Sequence, residues 1–215
     1  MRDKARRYAI FLVGLFINSL GVSCITTADL GTSPISSIPY VLSLNFPLSL
    51  GEFTILFNLL IVLVQLPILR RNFRWEHWLQ IPITVLFGWF IDLTMLPLAA
   101  IAPHGYPFQM AFLLVGCLIL GFGVYLEIVA NVAMLPGESF VRAVSITWHK
   151  EFGLTKIGFD VSMSLTAAGL SLLFAHTLNG VREGTIIAAL LVGFVARTCR
   201  RIQLHLQEKG AHQPA

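Results

Sequence analysis

Asn58, Asp92, Glu127 and Asp160 are acidic or amide side chains set among long apolar stretches. Ionisable groups in such surroundings are expensive and commonly mark a path for an ion or a proton. Glu127, with Asp160, is the candidate to carry a proton or to balance the charge of a solute. Glu127 also lies one helical turn before Asn131, so the two share a face. Asp92 and Asp160 fall near the ends of their apolar stretches, where a role at the water interface competes with ion coupling. Asn58 suits a cap or a helix cross-link as well as a ligand.

A second constellation is a polar or glycine-containing break followed by proline, and it occurs twice. The first reads Ala28-Asp29-Leu30-Gly31-Thr32-Ser33-Pro34 and the second Ala130-Asn131-Val132-Ala133-Met134-Leu135-Pro136. Proline costs little in the first turn of a helix, because its missing N–H would have no partner there anyway. Thr32 and Ser33 suit an N-cap. Each proline therefore predicts the start of a short helix, Pro34 to about Phe46 and Pro136 to about Trp148. The start of such a helix has unpaired N–H groups and a positive dipole end. Two starts meeting from opposite faces can hold an anionic or zwitterionic solute. The solute-binding candidates are Asp29, Gly31, Thr32, Ser33 and Pro34 with Asn131, Leu135, Pro136, Glu138, Ser139 and Arg142. Asp29 argues against a purely anionic ligand, and Glu138 and Arg142, four apart, can pair with each other or with Glu127. The competing arrangement is a short helix lying flat at the membrane interface.

The elements that position these residues are membrane spans. Of 215 residues, 56% are hydrophobic and only 12% charged, about half the usual charged share. The mean hydropathy is +0.77. Six apolar spans are predicted: Tyr8–Ala28, Phe53–Leu69, Trp78–Leu98, Phe108–Ala130, Ile157–Phe174 and Gly184–Arg197, most of them near the ~20 residues that cross a bilayer. The two proline-led segments are too short to cross as straight helices. If they do not cross, nearly every loop Lys and Arg falls on one side: the amino terminus, Arg70, Arg71 and Arg74, Lys150–Lys156, and the tail. Only Arg182 falls on the other. The positive-inside rule then puts both termini in the cytoplasm.

Offsetting the chain by 102 residues superimposes Gly14 on Gly116, Gly21 on Gly123, Pro34 on Pro136, Gly51 on Gly153 and Asn58 on Asp160. After a shift of three, Gly88 meets Gly193. Each half holds three crossings and one partial helix, and three is odd, so the second half enters from the opposite face. Inverted repeats of this kind organise many secondary transporters. The expected fold is an all-α membrane protein of six transmembrane helices plus two proline-initiated half-helices. Residues 1–103 form the first repeat, 104–200 the second, and 201–215 a basic amphipathic cytoplasmic tail resting on anionic lipid. The paired glycines suit close helix packing.

Several classes are excluded or disfavoured. The basic clusters abut apolar spans, so they read as membrane-flank anchors and not as a nucleic-acid surface. The three cysteines show no disulfide or CxxC framework. No P-loop or GxSxG occurs, and the six histidines lack metal-ligand spacing. An enzyme, a metal and a cofactor are therefore not expected.

Arg7, Gly14 and Gly21, the run Ala28–Pro34, the segment Gly88-Trp89-Phe90-Ile91-Asp92, and Arg182-Glu183-Gly184-Thr185 with Gly193 resemble the pattern of the YczE/YitT-like bacterial membrane proteins. The resemblance covers nearly the whole chain. It implies a multi-pass protein of the bacterial inner membrane and suggests transport without naming a substrate. The leading expectation is a small-solute secondary carrier working by alternating access, with proton coupling through Glu127. The alternative is a non-transporting scaffold or regulator that presents helices to a partner. The expected partners are the lipid bilayer, a small polar or charged solute and, given a mass of 23.8 kDa, a second copy of the chain.

Overall fold

The computed structural model describes residues 2–70, 75–101 and 103–211. Arg71 and Arg74, counted above among the basic flanks, lie outside the described residues, as does the end of the tail, 212–215. The described chain is helical throughout, with α1 (Arg2–Thr27), α2 (Pro34–Asn45), α3 (Leu50–Leu69), α4 (Trp75–Trp78), α5 (Gln80–Leu98), α6 (Tyr106–Ala130), α7 (Pro136–Thr147), α8 (Phe152–Ala175) and α9 (Glu183–Ala211). Helix is the expected form, because a backbone without water must satisfy its N–H and C=O groups within its own segment.

Five helices, α1, α3, α5, α6 and α8, are long and apolar enough to cross a membrane. The sixth expected span, α9, differs in composition: its apolar stretch from Gly184 to Ala196 gives way to Arg197, Arg200 and Arg201 within the same helix. Large apolar side chains cover the outside, including Leu63, Trp89, Leu118, Leu165 and Leu190. A soluble helix would turn such residues inward, so this surface is one for lipid.

The central contact is α1 against α6. Gly14 lies over Leu126 and Glu127, Asn18 over Gly123, Gly21 over Leu120, and Ile25 over Gly116. Partner numbers fall as α1 numbers rise, so the helices run antiparallel. A Cβ on Gly21 would come within 2.5 Å of the Leu120 backbone. Small residues are what allow two backbones to approach so closely in a medium that supplies little hydrophobic drive between helices.

The remaining helices flank this pair: α5 packs on α1 and α9 on α6, while α2 packs on α8 and α3 on α7. The α2–α3 and α7–α8 contacts complete the arrangement, and α3 also packs along α5. Among the described residues α8 and α9 form no comparable contact. Cys24 and Cys117 are buried free thiols, and Cys199 is partly exposed.

Candidate functional site

Both short helices begin at their prolines, as the sequence predicts. After α1 the chain turns through Asp29 (φ 55°) and Gly31 (φ 109°) and extends through Ser33 (ψ 147°) into Pro34. After α6 it turns through Asn131 (φ 47°) and extends through Leu135 (ψ 151°) into Pro136. Asp, Asn and Gly are the residues that tolerate positive φ. Ser33 occupies the N-cap position of α2, yet its hydroxyl donates to the Ser36 hydroxyl (2.9 Å) and makes no cap bond.

An arginine from the opposite half holds each break. Arg182 donates Nη1–H to the Asp29 carbonyl (3.0 Å). Arg7 donates Nε–H to the Ala130 carbonyl (2.8 Å) and Nη2–H to that of Asn131. The first break is also tied to α9: the Gly184 N–H donates to the Leu30 carbonyl (2.8 Å), and the Thr32 N–H to the Thr185 hydroxyl (3.3 Å). The starts of α2 and α7 then meet, with Ile35 Cδ1 against Gly137.

At this meeting point lies a cavity of ≈ 180 Å³. Its walls come in equivalent pairs at the 102-residue offset: Asn18 with Leu120, Val22 with Val124, Ser33 with Leu135, Ser36 with Glu138, Thr54 with Lys156, and Asn58 with Asp160. At the later 105-residue offset Phe87 pairs with Val192. The two halves supply different chemistry at matched places. Both halves give apolar side chains, but the polar groups differ: the first gives neutral amides and hydroxyls, and the second gives the charged Glu138, Lys156 and Asp160.

Lys156 Nζ sits 2.6 Å from Asp160 Oδ1. Glu138 lies within electrostatic reach of both but has no hydrogen bond or ion pair among the described residues. Asn58 is 5% exposed and likewise unpartnered. Behind the wall, the Asn18 Nδ2–H donates to Glu127 Oε1 (2.8 Å), which links the cavity to a buried carboxylate.

Of the solute-binding candidates, Ser33, Pro34, Leu135 and Glu138 line the cavity, as do Asn58 and Asp160 of the coupling set. The others stand elsewhere. Asp29 and Asn131 are exposed at the outer ends of the breaks. Gly31 packs against Thr185 and the Arg182 backbone, and Thr32 is buried beside Thr26. Pro136 and Ser139 belong to a buried polar network in which Ser139 Oγ–H donates to Gln65 Oε1 (2.9 Å) and accepts from Gln80 Nε2 (2.9 Å), while Gln65 Nε2–H reaches the Pro136 carbonyl (3.2 Å). Arg142 is exposed and directs Nη1 to Met134 Sδ (3.6 Å), so it pairs with neither Glu138 nor Glu127. Asp92 uses both oxygens on the start of α3, accepting from the Ser49 hydroxyl (2.7 Å) and the Gly51 N–H (2.9 Å).

Asn18, Ser36, Thr54 and Lys156 at the cavity, and Gln65 and Gln80 in the network around Ser139, were not singled out in the sequence. An amide inside an apolar span, as at Asn18 or Gln65, is a readable signal on the same grounds as Asn58. Thr54 and Ser36 carry no such signal, because hydroxyls in spans commonly bond their own helix, as Thr54 does to the Leu50 carbonyl.

The model of DUF6198, a family of unknown function, matches residues 5–201. The chain is 28% identical over 194 residues to the uncharacterized membrane protein YczE of Bacillus subtilis (strain 168), covering 89% of this chain and 84% of that one. No solved structure matches.

Proposed function

The chain belongs to the DUF6198 family of membrane proteins, and from that premise we propose that it is a small-solute carrier working by alternating access, with its solute held in the cavity between α2 and α7. The observation that carries this is the cavity's construction from equivalent residues of the two halves. A site on the axis between repeats can be presented to either face by exchanging the conformations of the halves.

The proposal includes inverted repeats and six crossings, with α9 as the sixth, in the bacterial inner membrane and with both termini cytoplasmic. The antiparallel packing of the equivalent helices α1 and α6 supports it, as do the matched pairings α2–α8 with α3–α7 and α1–α5 with α6–α9. In this frame the breaks lead inward from opposite faces, and α2 and α7 return to the faces they came from. Glu127, reached through Asn18, is the proton carrier, which leaves the cavity wall free for the solute.

Two measurements test this. Purified protein in liposomes is expected to give saturable flux of at least one small polar solute, and flux that is abolished by Glu127→Gln supports its coupling role. No flux across a broad panel, together with a second protein that co-purifies in fixed ratio, favours the scaffold instead. Cysteines replacing Asp29 and Asn131 are expected to react with impermeant reagent from opposite sides. Reaction from one side removes the inverted arrangement.

A further inference from the structure

We propose that the cavity recognises a small cationic amine, its ammonium seated on Glu138 and its short hydrocarbon part against Phe57, Phe87, Leu120 and Val124. The assignment deepens the carrier proposal and rests on the same cavity.

Charge leads to the cation. Lys156 is the cationic side chain in the wall, and it lies against Asp160. Glu138 then faces the cavity with no partner among the described residues, and Arg142, four residues on, turns to Met134. A carboxylate in poorly solvated surroundings attracts an opposite charge much more strongly than it would in water. The starts of α2 and α7, which favour anions by their dipoles, are already answered from within the protein. Glu138 itself stands in the first turn of α7. Pro34 has no N–H to offer, and the Ser33 and Ser36 hydroxyls bond each other. A free anion would instead meet Glu138 and Asp160.

Asn58 supplies an independent sign of a ligand. It is 95% buried, lines the cavity and has no hydrogen bond among the described residues. Buried polar groups are nearly always paired, so an unpaired amide aimed into a cavity is set for a partner that arrives from outside. It can accept from a second ammonium hydrogen or bond a hydroxyl on the solute. The size is also fitting: a cavity of about 150 Å³ accommodates benzene, and this one measures ≈ 180 Å³.

The test is binding to purified full-length protein in detergent, read by thermal shift and calorimetry, with four matched probes: n-butylamine, 2-aminopentanoate, butyrate and 1-butanol. Butylamine is expected to bind and the other three to bind at least tenfold more weakly. Glu138→Gln should weaken butylamine at least tenfold. Asn58→Asp, which adds a second unpaired carboxylate, should tighten it several-fold and guards against misreading a Glu138 variant that fails to fold. Preference for the zwitterion, the anion or the alcohol overturns the assignment, and so does butylamine binding that is unchanged in both variants. Amine binding without flux in liposomes would remove the carrier and leave this assignment standing; flux of a carboxylate without amine binding would do the reverse.

Discussion

The α3–α5 and α8–α9 regions match each other in sequence at the 102- and 105-residue offsets, and they are built differently. In the first, Gly51 lies against the Gly88 carbonyl and Asp92, and Gly88 against Ile55. Asp92 closes the seam by binding Ser49 and Gly51. In the second, Gly153 meets only Glu151 of its own helix start, Gly158 meets nothing, and Gly193 is approached only by Arg197 of its own helix. The glycines are present in both halves, but only one seam is shut. Where the shut seam has Ser49 and Asp92, the open one has Glu151 and Arg197, which are opposite charges. Arg197 meanwhile folds back onto the Gly193 carbonyl (3.0 Å). Lys156, Asp160, Val192 and Gly193, all beside the open seam, line the cavity. Under the proposed function and orientation this would be the form closed to the outside, and its exchange partner would have α8 on α9 with Glu151 against Arg197.

The strongest way to break this comparison is to wedge each seam. Gly51→Leu forces a side chain into the Gly88 backbone and should cost about 3 kcal/mol. At about 2–4 °C per kcal/mol that is a fall in Tm of about 6–12 °C. Gly153→Leu should leave Tm within about 2 °C, since its Cβ meets only a side-chain oxygen at 3.5 Å. Equal losses at the two sites would mean the seams are alike.

Removing the lock is a smaller perturbation. Asp92→Ala leaves two donors at the start of α3 without their acceptor and should cost about 1–3 kcal/mol, whereas Arg197→Ala should cost under about 0.5 kcal/mol by thermal denaturation. Flux should show the opposite order for charge. Arg197→Glu is expected to slow transport about tenfold, and Glu151→Arg added to it should restore most of the rate, because the pair would then be re-formed in reverse. Failure of the double variant to recover would remove the second lock.

The smallest effect concerns Thr84, whose hydroxyl is buried in α5 without a hydrogen-bond partner among the described residues. Its counterpart at the 105-residue offset, Ala189, lines the cavity. Thr84→Val should raise Tm by about 2–4 °C, since it removes an unpaired polar group at nearly constant volume.

Much of this architecture was legible in the sequence. Pro34 and Pro136 announce the short helices because each follows a polar or glycine-containing break and proline costs little in a helix's first turn, and both helices begin there. Apolar length identifies α1, α3, α5, α6 and α8. Glycines at matched spacing anticipate the α1–α6 contact, since only a missing side chain permits that approach. The cavity was only half legible. Sequence reasoning placed the site between the Asp29–Pro34 and Asn131–Pro136 breaks; Ser33, Pro34 and Leu135 of those breaks line the cavity, whereas Asp29 and Asn131 are exposed where the chain turns. Which face of a short helix looks inward depends on how α2 and α7 meet α8 and α3, and no local pattern encodes that. The Glu138–Arg142 spacing was equally silent about direction: four residues apart permits a pair, but tertiary packing took Arg142 away.

The two arginines at the breaks set an order of events in biosynthesis. The Asp29 carbonyl waits for Arg182, which lies 153 residues later in the chain. At about 5–20 residues per second of synthesis that interval is about 8–30 s. Throughout it the nascent first half lacks the contacts that Arg182, Gly184 and Thr185 make to its break, so that turn reaches its final geometry only once the second half has been made.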